Sequence, residues 1–136
     1  MPVRRRSLPF AAAVLVACAA LLGLPFPSER AKAAQPQEQV ERGRTVFQNA
    51  CARCHGGQGE GGEGPRLIGP GNGLAGYLDA QTLFNFVSTN MPVDDPGSLS
   101  AEDYWAVLAF LLDANGLLPR GVVLGPQTAP GVRLPP

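Results

Sequence analysis

Lysine is almost absent: the 136 residues contain one, Lys32, and charged residues of both signs make up only 16%. Beyond residue 33 no lysine is left and the six arginines are scattered, so that part of the chain presents no basic patch for nucleic acid or for an anionic lipid surface. Histidine is too scarce for a metal centre built from several imidazoles, because His55 stands alone. Methionine occurs only at Met1 and Met91, and cysteine only at Cys18, Cys51 and Cys54. No stretch alternates apolar and polar residues, so the pattern of a half-buried strand is missing, and no segment repeats another. The longest apolar run, Phe10 to Leu24, falls short of the ~20 residues that span a bilayer comfortably.

What the N-terminus does contain is an export pattern. Arg4, Arg5 and Arg6 precede the apolar run, Gly23, Pro25 and Pro27 break it, and Ala31-Lys32-Ala33 offers small residues where a signal peptidase reads. Residues 1–33 are therefore expected to be a secretory signal cleaved after Ala33. Two alternatives stay open, both tying the chain to a membrane: an uncleaved anchor, and lipidation at Cys18, where Leu15-Val16-Ala17-Cys18 resembles a lipobox. Acylation there would leave Leu21, Leu22, Leu24 and Phe26 in the mature protein, so an ordinary cysteine of the apolar run is the simpler reading. Without residues 1–33, six arginines face ten acidic residues, a net charge of −4. The remaining chain makes one small domain, and a domain of that size buries only about 60–70% of its unfolded surface. A large apolar cofactor would then be a substantial part of the core.

Local patterns predict three helices and no strand. From Gln37 to Cys54, small or apolar residues recur in steps of three and four at Val40, Gly43, Phe47, Ala50, Cys51 and Cys54. Asp79 is placed as N-cap of a second helix running to about Ser88 and ended by Met91-Pro92. Ser100 caps a third, with Asp103 in capping-box position, Leu99 and Tyr104 as a hydrophobic staple, and Asn115-Gly116 as its stop. This last helix is apolar around most of its circumference between Tyr104 and Leu112, which predicts burial on two sides. Between the first two helices, Gly56 to Gly73 is crowded with glycine and holds Pro65 and Pro70. It reads as a long loop, and a loop of that length in a compact domain usually wraps something. Residues 117–136 read as an extended or partly disordered tail.

Cys51-Ala52-Arg53-Cys54-His55 carries the chemistry. Residues three and four apart share a helix face, so the two thiols and the imidazole converge on one spot. Cys-x-x-Cys-His is the signature of covalent haem attachment, with two thioethers to the porphyrin and the histidine delivered to the iron. A thioredoxin-like dithiol would want strands around it, a structural zinc would want a fourth ligand, and a plain disulfide would leave His55 and the glycine loop unexplained. Met91 follows His55 by 36 positions, enough chain to travel around a haem edge and return on the opposite face. As the one methionine outside the signal, in a loop beside Asn90 and Pro92, it is the candidate second iron ligand. A lone methionine elsewhere would be read as core filler.

From about Val40 to Gly116 the chain resembles the class I, monohaem cytochrome c family of the bacterial exported type. The resemblance is carried by Gly43 to Phe47, Cys51 to Gly56, Gly64-Pro65-Arg66-Leu67, Asn90-Met91-Pro92 and Ala109 to Leu112. It implies an all-α, small cytochrome c fold, three to four helices wrapped around one covalent haem c, with long Gly/Pro-rich loops. It implies a cytochrome domain over residues 34–116 and a Pro/Gly-rich tail over 117–136. It implies that Gly43 and Phe47 of the first helix pack against Phe110 of the last. It also implies that the Pro65 carbonyl accepts the Nδ1 proton of the iron-bound histidine. The cofactor contacts then expected are Cys51, Cys54, His55, Met91, Pro65 and Leu67, with His55 and Met91 on the iron. Ile68, Phe86, Val87, Trp105 and Leu108 are further pocket candidates.

The function so implied is electron transfer, with no catalytic residue. The expected partners are a redox donor and acceptor, such as a dehydrogenase, an oxidase or a quinol-oxidising complex, met in the periplasm or on the outer face of the cytoplasmic membrane. A haem peroxidase or gas sensor is the rival, and it would need an open iron position where Met91 is expected.

Overall fold

The computed structural model describes residues 27–136, with side chains from Gln35 onward. The expected signal and Cys18 lie largely outside the described residues. Four helices follow in order: α1 Pro27–Ala50, α2 Ala52–His55, α3 Ala80–Asn90 and α4 Ala101–Ala114, with a 3-10 turn at Ala129–Gly131. Among the described residues there is no strand, and the one β-bridge pairs Asp79 with Arg133. None of the described helices is long and apolar enough to cross a membrane.

The core is the crossing of α1 over α4. Gly43 makes it: a Cβ there would stand 1.9 Å from the Ala106 carbonyl oxygen and 2.9 Å from the Phe110 Cβ. Four residues on, Phe47 is wholly buried, with its ring 5.4 Å from that of Phe110. Arg44 lies over the outer face of Phe110 at 5.1 Å, and Arg42 reaches both Glu102 and Asp103 at the start of α4. All residues from Tyr104 to Leu112 are buried, as a helix apolar on so many faces requires.

The caps behave as the local chemistry dictates. Asp79 Oδ1 accepts from the Thr82 amide at 2.8 Å and from its hydroxyl at 2.9 Å. Ser100 Oγ accepts from the Asp103 amide at 3.1 Å and donates to its carboxylate at 2.8 Å. These bonds satisfy amides that the first turn of a helix leaves without a partner.

Three features differ from expectation. The first helix starts at Pro27 rather than Gln37 and passes through Pro36. Proline suits the first helical position, and the alanines at 31, 33 and 34 are strong helix formers. The same helix ends at Ala50 rather than Cys54, because φ −118° at Cys51 breaks it before the short α2. The third concerns the tail after Gly116, which runs in turns and one 3-10 helix and packs into the core. Leu124, Ala129, Val132 and Leu134 are buried in the core cluster. Gln39 exchanges two hydrogen bonds with the Leu124 backbone at 2.7 Å each, and the Val132 carbonyl accepts from the Ala80 amide. Residues 117–136 therefore fold with the domain, and Gly116 is a helix stop rather than a boundary of packing.

Candidate haem-binding site

α1 runs into Cys51, and α2 then turns Cys54 and His55 back toward the body of the domain. The His55 amide bonds to the Cys51 carbonyl at 3.0 Å, so the attachment motif keeps helical spacing across the break. The glycine loop is knitted to this turn. Gly61 and Gly64 donate to the carbonyls of His55 and Cys54 at 2.7 and 2.8 Å, and Leu67 donates to Gly59 at 2.8 Å. Gly59 and Gly61 have φ of 73° and 96°, a region open mainly to glycine. Gly64 lies flat against the imidazole, where a Cβ would approach His55 Cε1 and Nδ1 to 2.8 Å.

His55 is 92% buried by its 8% exposure, and its Nδ1 donates to the Pro65 carbonyl at 2.7 Å. A carbonyl can only accept, so Nδ1 carries a proton, and in the neutral ring this tautomer leaves the Nε2 lone pair for a metal. The outer partner that the resemblance implied is in place.

One cleft of about 220 Å³ brings the candidates together. Ala50, Cys51, Cys54, His55 and Pro65 form one part of its lining, and Met91 with Pro92 and Val93 another. Leu67, Leu74 and Tyr77 from the loop, Leu83, Phe86 and Val87 from α3, and Val107, Leu108 and Leu111 from α4 complete an apolar wall. No disulfide joins Cys51 to Cys54, so both sulfurs are available to the cofactor. Across the rim, Arg53 Nη2 meets Asp94 Oδ2 at 2.6 Å, which holds the Asp94 carboxyl below its ordinary range. Two thiols, an imidazole with a free lone pair and a thioether on one apolar cleft fit a haem bound through thioethers and iron.

Ile68 and Trp105 do not line this cleft. Ile68 lies under Gly59, and the Trp105 ring stacks on Phe84 at 3.7 Å on another side of α4. Residues not foreseen are Leu83, Val107 and Leu111; spacing by three or four from Phe86, Val87 and Leu108 could have flagged Leu83 and Leu111. Tyr77 and the Arg53–Asp94 pair carry no comparable signal. Asn115, read only as a helix stop, also anchors the glycine loop: its side chain donates to the Leu67 carbonyl at 2.9 Å and accepts from the Gly69 amide at 3.0 Å.

Residues 38–111 match the family model described as cytochrome C oxidase, cbb3-type, subunit III. The chain belongs to this cytochrome c family. Its cofactor is accordingly a covalently bound haem c. The domain is 36% identical over 87 residues to a thiosulfate dehydrogenase of Stutzerimonas stutzeri (strain A1501), covering 57% of this chain and 28% of that protein. It is 33% identical over 94 residues to a thiosulfate dehydrogenase of Thiomonas intermedia (strain K12), covering 60% and 29%. The chain thus matches less than a third of the length of these curated relatives. Among solved structures, the sulfane dehydrogenase SoxCD from Paracoccus pantotrophus superposes with a TM-score of 0.57 at 29% identity, over 84% of this chain and 68% of that one. The all-α cytochrome c fold that the resemblance implied is the fold that this domain adopts.

Proposed function

We propose that this chain is an exported one-electron carrier, with haem c attached through Cys51 and Cys54 and its iron held between His55 and Met91. The observation that carries the reading is the meeting of those four side chains on one apolar cleft, with His55 Nδ1 already bound to the Pro65 carbonyl. Haem c supplies a one-electron ferric/ferrous couple. The Pro65 carbonyl fixes the tautomer and orientation of His55 and raises its basicity. A neutral thioether in the sixth position leaves no open site, which favours electron transfer over oxygen or peroxide chemistry, and the apolar wall favours the less charged reduced form. Phe86 and Val93, exposed at the rim, present an apolar edge to a partner. The export pattern in residues 1–33 supports a location in the periplasm or on the outer face of the cytoplasmic membrane.

The names of the relatives support a donor that oxidises a reduced sulfur compound. Because the match spans less than a third of the thiosulfate dehydrogenases, the reading gives this chain the electron-accepting role and leaves the sulfur chemistry to a partner. Haem-loaded protein should keep one haem through acid extraction, by mass. Mixed anaerobically with thiosulfate, it should stay oxidised alone and become reduced when a thiosulfate-oxidising dehydrogenase is added. Reduction by thiosulfate alone would move the catalytic site onto this chain, and haem that extracts into acid would end the covalent reading.

A further inference from the structure

Met91 is the first residue past α3, and both of its backbone groups are taken. Its amide donates to the Val87 carbonyl at 2.9 Å, and its carbonyl accepts from the Tyr104 hydroxyl at 2.6 Å. The first bond belongs to the end of α3. The second comes from α4, across a turn of 13 positions, and it has a different physical character. Tyr104 is 3% exposed, with its ring set edge-on to Phe84 at 6.3 Å. Its place is fixed by the helix, whose first turn Ser100 caps. A buried hydroxyl that loses its acceptor keeps the full cost of its desolvation. The Met91 carbonyl satisfies the Tyr104 hydroxyl only while residue 91 stays against the cleft.

On its outer side the same turn is closed on itself by the Asp95 amide on the Pro92 carbonyl at 3.0 Å, and few contacts tie it to the rest of the domain. Val93 is 73% exposed, and the Arg53–Asp94 pair is made between side chains 71% and 58% exposed. Exposed pairs of this kind contribute little and are screened by salt.

We infer that Tyr104 is a positioning residue for the sixth iron ligand: its buried hydroxyl holds the Met91 backbone so that the thioether stays presented to the cleft. The inference rests on the reading of Met91 as that ligand. Removing the hydroxyl while keeping the ring removes the penalty for the loop leaving, so the ligand-off state becomes more populated.

The test uses the haem-loaded full chain and Tyr104→Phe, which preserves the buried ring. In the reduced protein, carbon monoxide can bind only when the sixth position opens. Its association should be on the order of tenfold faster in the Phe variant, the size expected for one lost buried hydrogen bond. The sulfur-to-iron band of the oxidised form should also bleach at a lower temperature than in wild type. Ser100→Ala weakens the same helix from its cap and should lower the denaturation midpoint while leaving the carbon monoxide rate at the wild-type value. If wild type shows the band and Tyr104→Phe matches it in both band and rate, Tyr104 is only a core residue and the inference fails by itself. If Ser100→Ala accelerates carbon monoxide as much as Tyr104→Phe does, loosening of α4 explains the effect and the inference also fails. If wild type lacks the band and binds carbon monoxide fast, Met91 is not a ligand and both readings fall together.

Discussion

On the His55 flank of the cleft, every backbone neighbour is tied down: the imidazole is buried, Gly64 lies against it, Pro65 accepts its proton, and the loop behind is bonded to Cys54, His55 and Gly59. On the Met91 flank, the Met91 backbone itself has one helix-end bond and one tyrosine hydroxyl, the turn after it is closed by the Asp95 amide on the Pro92 carbonyl, and the Arg53–Asp94 side chains form one exposed ion pair over it. If His55 and Met91 hold the iron as proposed, moving His55 away would disturb several loop hydrogen bonds at once, whereas moving Met91 would disturb only a local turn. The difference teaches where strength is built into such a small domain. The histidine side is bound into the glycine loop, and the methionine side is a turn bound mainly to the ends of α3 and α4.

The largest effect should come from cutting the cofactor out of the first flank. Cys51→Ala with Cys54→Ala should leave a chain without covalent haem and largely unfolded, because so small a domain lacks the core to replace it. Circular dichroism and proton shift dispersion would report this, and a cooperative, well-dispersed apo protein would contradict it. Next is the helix that delivers the motif. In Gly43→Val, the new side chain would drive into the Ala106 carbonyl, and the cost should reach about 3 kcal/mol, the upper part of the overpacking range, read from the denaturation midpoint of the haem-loaded protein. An unchanged midpoint would remove the crossing from the account.

Gly64→Ala sharpens the contrast between the flanks. Its methyl presses on the His55 ring, so haem should stay attached while the reduction potential and the low-spin magnetic resonance spectrum shift. Unchanged spectra would mean that the loop yields and does not brace the imidazole. The smallest effect belongs to the outer clasp of the Met91 turn. Arg53→Gln should lower the denaturation midpoint only slightly, and not at all at high salt. Acid should act on the same groups. Hydrogen bonds from Arg53 to Asp94, from Ser100 to Asp103 and from Thr82 to Asp79 hold these carboxyls below their ordinary range. Their contribution is therefore complete above about pH 4 and is lost as pH falls through the lowered values. A thermal midpoint flat from neutrality into that acid range would contradict it.

Much of this arrangement is written in short-range signals. Asp79 and Ser100 announce helix starts three residues before the amides they cap, Gly116 announces a stop, and Cys51 to His55 states its chemistry within five positions. Gly43 is legible because three- and four-residue spacing sets it on the stripe that Phe47 shares. What stays hidden is decided by distant partners. Leu124, Val132 and Leu134 sit among prolines and glycines and look like any tail, and only the surfaces of α1 and α3 give them a core to enter. Trp105 and Leu108 are equally apolar, and which of them faces the cleft depends on where Phe84 stacks. Tyr104 reads as a staple at the head of α4, and its hydroxyl gains a partner only when the Met91 turn folds back over it.

The most direct measurement compares wild type with Met91→Ala in the near-infrared and in carbon monoxide binding. Wild type should show the sulfur-to-iron band when oxidised and bind carbon monoxide poorly when reduced. The variant should lose the band, fall in reduction potential and bind carbon monoxide readily, since Met1 is the only other methionine in the chain. A wild-type protein that lacks the band and binds carbon monoxide as fast as Met91→Ala would contradict iron held between His55 and Met91.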